Sequence, residues 1–333
     1  MSLLSFSKKW LMFIFSVTVA TSAYAQPFSS RPDVHAYITE ISKQYDFNQQ
    51  QLDTYFNTVQ IQSTILRSIA RPFEKKPWDT YQQFFLEEKR IKKGVEFFKK
   101  YQTVLESAEK EYGVPAPVIA AILGVETYYG AQQGNYRVMD SLSTLAFEYP
   151  PRAPFFRKEL TEFLILCRQL NLDPTSVKGS YAGAIGQAQF MPSSYRNYAV
   201  DFSGENRSDL RSNPHDAIYS IANYLQKNGW RADEPIATPA NIEGSAYLQV
   251  NTDARVPLYT MSQLKNWGIT PRYYPPVVPE KPVGLIKLDT THAPEYWIGF
   301  KDFYVITRYN TSQQYAMAVF LLAAEIQRGA GIS

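Results

Sequence analysis

The chain has 333 residues, with 34 Lys and Arg against 31 Asp and Glu, and a formal net charge of +3. Residues 1–25 hold Lys8 and Lys9 and no acid, so their removal takes the charge from +3 to +1, too balanced for a nucleic-acid partner. The single cysteine, Cys167, excludes an internal disulfide, and in the apolar run Phe163 to Cys167 it reads as an inert core thiol.

The first residues set the compartment. Lys8 and Lys9 form a positive start, Trp10 to Ala20 an apolar stretch, and Ala23-Tyr24-Ala25 a small-residue cleavage site. The apolar stretch falls short of the about 20 residues a spanning helix needs. The expectation is a cleaved secretory signal over 1–25, a mature chain from Gln26, and no cysteine beside the cleavage site to carry a lipid. Aromatic residues make up 15% of the chain, with 24 Tyr and 20 Phe. Many will be core, but tyrosine rings with a wet polar tip also suit the flat faces of sugars.

From Asp33 to Ile69 the apolar spacing predicts helices, with Val34, Ile38 and Ile41, then Leu52, Tyr55, Phe56 and Val59, on their inner faces. Pro72 to Trp78 reads as a linker. Glu87 to Tyr112 reads as one long amphipathic helix, with Ile91, Val95, Phe98, Tyr101, Val104 and Leu105 inward and lysines outward.

Pro115 to Gly130 is the stretch that organises the rest. Proline opens a helix well, and from Val118 to Val125 every side chain is apolar or absent. Into that run comes one carboxylate, Glu126, with Ile122 and Val118 one and two turns back. Burial disfavours an ionised carboxylate, so a raised pKa is expected, and a carboxylic acid held neutral suits general-acid chemistry at a glycosidic oxygen. On this helix alone, a glutamate at its wet end or in a structural ion pair stands equal with that reading.

Helices follow over Arg137–Glu148 and Pro154–Leu170. In Lys178 to Tyr198 the small residues Gly179, Ala182, Gly183, Ala184, Gly186 and Ala188 permit close backbone approach, and Pro192-Ser193 opens a helix. A polar loop over Asp201–Arg207 precedes a helix from Pro214 to Asn228. Alternation then predicts strands at Ala246–Val250, Gly284–Leu288, Tyr296–Phe300 and Phe303–Thr307. A last helix, Gln314–Arg328, needs a helical body to cover its apolar face. The expected organisation is a helical body over 26–234 and 309–333, with a small β-rich lobe over 235–308.

Four stretches stand together: Gly124–Gly130, Ser180–Tyr195, Ala222-Asn223-Tyr224, and Arg308-Tyr309-Asn310 through Tyr315. In that order, and from Trp78 to Tyr315, the chain resembles the B-type lytic murein transglycosylases. The resemblance implies an α+β, mainly α fold with a goose-lysozyme-like helical core and a small β lobe inserted before the last helix. It implies action on peptidoglycan in the periplasm, by one chain, with no cofactor required. By position, Glu126 is similar to the family's sole catalytic acid/base. Ser180, Gln189, Phe190 and Met191, then Tyr224, Tyr309, Asn310 and Tyr315, match positions along the sugar cleft, and Tyr81 one nearer its entrance. Only Arg152 matches the family's paired arginines, because Pro151 stands in the other place. Asp201, Ser203, Glu205 and Asp216 resemble a structural calcium loop. Asn206 in the glycine position, Arg207 and a longer loop tip the expectation against a bound ion.

The expected reaction cleaves between N-acetylmuramic acid and N-acetylglucosamine and leaves a 1,6-anhydro end. Glu148 or Asp140 facing Glu126 would instead make a hydrolytic muramidase. The alternative from another class is a catalytically silent peptidoglycan-binding or scaffold protein.

Overall fold

The computed structural model describes residues 26–70, 76–204, 207–273 and 281–332. The expected signal, part of the Pro72–Trp78 linker, and Glu205 with Asn206 lie outside these residues. No helix among the described residues is long and apolar enough to cross a membrane.

The amino-terminal pattern resolves into three short helices, α1 (Pro32–Tyr45), α2 (Gln49–Asn57) and α3 (Ser63–Ala70). They stop where the sequence offers stops: Asp46 turns left-handed after α1, and the Asn48 side chain caps α2 by accepting from Gln51 N. After α4 (Trp78–Phe85), the expected long helix is two, α5 (Glu88–Lys100) and α6 (Gln102–Tyr112), broken at Tyr101. The break follows from packing. Segment α5 lies against α7 (Ala116–Thr127) and α14 (Gln313–Ala330), whereas α6 turns to meet α7 and α11 (Pro214–Lys227). No single straight rod satisfies both sets of neighbours.

Strand β1 (Tyr136–Arg137) leads into α8 (Val138–Glu148), which packs on α9 (Ala153–Gln169). Strand β2 (Lys178–Gly179) pairs back on β1, and α10 (Pro192–Tyr198) then lies on α9. The lobe sheet is antiparallel, in the order β4 (Ile269–Pro271), β3 (Ala237–Ile242), β6 (Glu295–Gly299), β5 (Gly284–Leu288). Ile298 pairs with Thr238 on one side and Leu285 on the other.

The two faces of this sheet have different partners. Ala240, Ile269, Val283, Leu285 and Ile298 build a small core with Leu264 of α12 (Met261–Asn266). Ile286, Leu288 and Trp297 face the large helical core, where Trp297 meets Phe320 of α14 edge-on at 6.2 Å. A strand covered on both sides carries apolar residues nearly without interruption, as β5 does.

Two expected strands are helical. Ala246–Gln249 is a 3-10 turn, and Phe303–Thr307 lies inside α13 (Lys301–Tyr309), whose Phe303, Tyr304, Val305 and Ile306 join the large core. A five-residue apolar run carries no period that separates strand from helix. Here helical packing against α11 and α14 decides.

Candidate active site

All residues of α7 are buried except Val125 and Glu126, which are half-buried at its final turn. The helix is enclosed, and its carboxylate emerges where the enclosure ends. Tyr315, 2% exposed on the first turn of α14, donates its hydroxyl to Glu126 Oε1 at 2.6 Å. Burial, with the Glu126 charge beside it, holds the Tyr315 phenol well above its ordinary pKa, so it remains a proton donor in that bond.

Rings continue from this pair. Tyr309 stacks on Tyr315 with planes 11° apart and centroids at 6.4 Å. Tyr224 stands edge-on to Tyr309 at 4.9 Å, and Phe190 lies 5.6 Å from Tyr224 and 5.7 Å from Tyr309. The tyrosine tips are anchored on backbone: Tyr309 donates to Ala188 O at 2.5 Å and Tyr224 to Arg308 O at 2.6 Å. Burial pushes the Tyr224 phenol up to about 12 and the Tyr309 phenol well above its usual value. These two therefore offer ring faces and edges, with their hydroxyl protons already committed.

The small-residue segment folds against this wall as a tight turn closed by Ile185 N to Phe190 O (2.8 Å) and Phe190 N to Ile185 O (3.1 Å). Ser180 and Gln189 build it: Ser180 Oγ accepts from Ala182 N and Ala184 N, and left-handed Gln189 donates to Gln133 O and Gly186 O. Thr127 Oγ1 donates to Gln187 O at 2.8 Å and so locks the end of α7 to this turn. Met191, half-buried, is the residue before α10. Asn310 follows α13, and its Oδ1 accepts from Ser312 N at 3.1 Å.

Tyr81 departs from expectation. It is 1% exposed, packed on Trp78 and Phe85, and lies near enough to Tyr315 to raise its phenol. Arg152 is exposed and lies over the Phe155 and Phe156 rings at 4.4 and 5.2 Å. Its described packing is with α9 rather than with the Tyr309 wall.

Sequence reasoning missed the support behind Glu126. Arg90 of α5 is 4% exposed, and its Nη1 donates to Gly124 O at 2.7 Å. Tyr129, buried, donates to Arg90 O at 3.1 Å and fills the slot between two glycines. A Cβ on Gly94 would come within 2.3 Å of its hydroxyl, and one on Gly124 within 2.6 Å of its ring. The signal was available: Arg90, Gly94, Phe97 and Phe98 recur at helical spacing on the inward face, where a cation is out of place.

In the loop compared with a calcium site, Asp201 Oδ1 accepts from Ser203 Oγ and Gly204 N, and its Oδ2 from Arg207 N. Asp216, 1% exposed, accepts from Phe202 N and Asn213 Nδ2 on one oxygen and Asp209 N on the other. Both carboxylates are thus turned onto N–H donors. Glu205, the fourth residue of the compared set, lies outside the described residues.

Residues 29–324 match the model of the transglycosylase SLT domain. The chain is 37% identical over 309 residues to the membrane-bound lytic murein transglycosylase B of Escherichia coli (strain K12), covering 90% of this chain and 84% of that protein. The catenated lytic transglycosylase SltB1 of Pseudomonas aeruginosa superposes with a TM-score of 0.85 at 45% identity, over 91% of this chain and all of that one. Escherichia coli Slt35, solved in complex with calcium, gives 0.83 at 37% identity over 91% and 95% of the two chains. A half-exposed carboxylate bonded to a tyrosine at the end of a buried helix, on a fold shared over nine-tenths of the chain, belongs with these relatives: the chain is a member of the SLT-domain family of lytic murein transglycosylases.

Proposed function

We propose that the protein cleaves the β-1,4 bond between N-acetylmuramic acid and N-acetylglucosamine in periplasmic peptidoglycan, with Glu126 as its one acid/base. Protonated Glu126 gives its proton to the glycosidic oxygen as the bond to the muramoyl anomeric carbon breaks. The resulting carboxylate takes the proton of the muramoyl 6-hydroxyl while that oxygen closes on the anomeric carbon. The proton returns to Glu126, a 1,6-anhydro ring remains, and water is neither consumed nor released.

The observation that carries this reading is the 2.6 Å bond from Tyr315, which aims the carboxylate from the half-open end of α7 beside a wall of rings. Tyr309, half-buried, is the ring of this wall that offers surface to a sugar, and Phe190 and Tyr224, 2% and 9% exposed, back it from the core. Ser180, Gln189, Met191 and Asn310 shape the turn and the helix ends that border it. The two acids weighed as partners are engaged elsewhere: Glu148 pairs with Arg31, and Asp140 accepts from Gln60 N and lies 3.7 Å from Arg137. A hydrolase using two carboxylates needs them flanking one bond.

Mass spectrometry of glycans released from purified sacculi tests the proposal. Each new muramoyl end is expected to be lighter by one water than a hydrolytic product. Products carrying that water would make the enzyme a muramidase.

The same proposal dispenses with metal. Asn206 in the glycine position and Arg207 beside it weigh against a cation in the Asp201–Asp216 loop. Thermal melts in millimolar calcium and in chelator are expected to coincide. A site at one hundred times its dissociation constant would add about 2.7 kcal/mol, a shift of several degrees that the comparison would reveal.

A further inference from the structure

The end of α7 is held by an arrangement that its own sequence does not account for. Tyr128 and Tyr129 both have left-handed backbone, φ 53° and 60°, ahead of Gly130 at 85°. Side chains with a Cβ resist this conformation, so two in succession persist only where surroundings impose it. Gly124 O accepts twice, from Tyr128 N at 3.2 Å and from Arg90 Nη1 at 2.7 Å. The guanidinium also lies 4.7 Å from the Tyr128 ring centre, and Tyr129 closes the circuit by donating to Arg90 O. A cation thus sits at the negative end of the helix, two residues before Glu126, against the ring of Tyr128, while the backbone carbonyl of Arg90 itself receives Tyr129.

From this geometry we infer that Arg90 is a positioning residue for Glu126, fixing the direction in which the carboxyl leaves the helix toward the Tyr315 hydroxyl. The inference rests on the reading of Glu126 as the acid/base. Packing alone does not call for a guanidinium here, because an apolar side chain would lie against Phe84, Phe85 and Tyr128 without the cost of burying a charge. What an apolar residue lacks is the bond to Gly124 O. Without it the carbonyl loses its second donor and the Tyr128 ring its cation, the first left-handed residue of the bend is held less firmly, and the carboxyl shifts. Misplacement of a catalytic group by about 1 Å lowers rates on the order of a hundredfold.

The test is steady-state kinetics on solubilised peptidoglycan strands with Arg90→Met and Arg90→Lys, each assayed at a fixed interval below its own Tm. Leu285→Ala, in the separate core of the lobe, serves as a destabilised control. Arg90→Met is expected to lower kcat about 30-fold with KM unchanged. The lysine variant, which keeps a charged donor, should lose about 5-fold, and Leu285→Ala should match wild type. A methionine variant with kcat within twofold of wild type, or a loss shared equally by the control, overturns the inference. Should the methionine variant not fold, the lysine variant decides by the same split: lowered kcat at constant KM supports it, and wild-type kcat or raised KM refutes it. Glu126→Gln run alongside separates the two readings. Turnover in that variant removes the acid itself, whereas an inert Glu126→Gln beside an unaffected Arg90→Met removes only the role of Arg90.

Discussion

Glu126→Gln is expected to lower turnover of peptidoglycan by about a thousandfold or more while leaving the melting temperature and glycan binding near wild type. A positioned acid or base contributes roughly a hundred- to ten-thousandfold, and here one carboxyl serves both halves of the reaction, so the upper part of that range applies. Glutamine keeps a carbonyl oxygen for the Tyr315 hydroxyl and nearly the same volume, so the end of α7 and the stack of Tyr309 on Tyr315 should survive. Loss of rate at preserved binding is the signature of a proton-transfer group. Retained turnover would leave the mechanism without its central residue, and loss of binding together with rate would mean that Glu126 holds sugar.

The second large effect concerns stability. Asp302 opens α13 at the seam between lobe and body, is 0% exposed, and burial pushes its carboxyl up to about 7. Its Oδ1 accepts from Arg231 N at 3.1 Å, while Oδ2 has no partner among the described residues. Desolvation, with the Glu234 charge adding to it, outweighs the Arg231 N–H bond and the Lys301 and Arg231 charges, which favour the ionised form.

The sign follows from proton counting. Between the unfolded value near 3.8 and the folded value near 7, the native state holds a proton that the unfolded chain has lost. Stability from this group therefore falls as pH rises across that window and is level above it. Three units correspond to about 4 kcal/mol at most. Asp302→Asn keeps the acceptor for Arg231 N and removes the charge, though its amide leaves a buried donor to satisfy. The variant is expected to gain about 5 °C relative to wild type between pH 4 and pH 8. Paired melts across that range, giving curves that stay parallel, would place the pH dependence elsewhere.

Legibility in the sequence depended on how local each cause was. The α7 helix and its carboxylate could be read because proline, an unbroken apolar run and one acid lie within sixteen residues. Strands β5 and β6 could be read from their apolar alternation, whereas β3 and β4 carry prolines and a polar mixture that hid them. The break at Tyr101 was not, since Tyr101 is an ordinary helix residue and the bend answers to α7, α11 and α14. The Phe303–Thr307 run was taken for a strand because its burial on every side erases the period. At the site, the family resemblance named the tyrosines by position, but which hydroxyls are spent on backbone, and that Tyr81 is buried on Trp78 and Phe85, depended on distances across the fold. Arg90 escaped notice because lysines surround it in sequence, and only the helical register separates the buried cation from the wet ones.

The bond between Tyr315 and Glu126 joins residues 189 positions apart. A ribosome finishes the helix that bears the acid long before it reaches the tyrosine that aims it. During that interval the growing polypeptide holds the acid without the partner that orients it. Closing so long a loop comes late in folding, after local helices have formed. A product cut short before α14 also lacks the surface that covers α5 and α7, and is marked for proteolysis by the apolar faces left bare. An enzyme that cuts a load-carrying wall thus gains its oriented acid only when α14 has docked on α7.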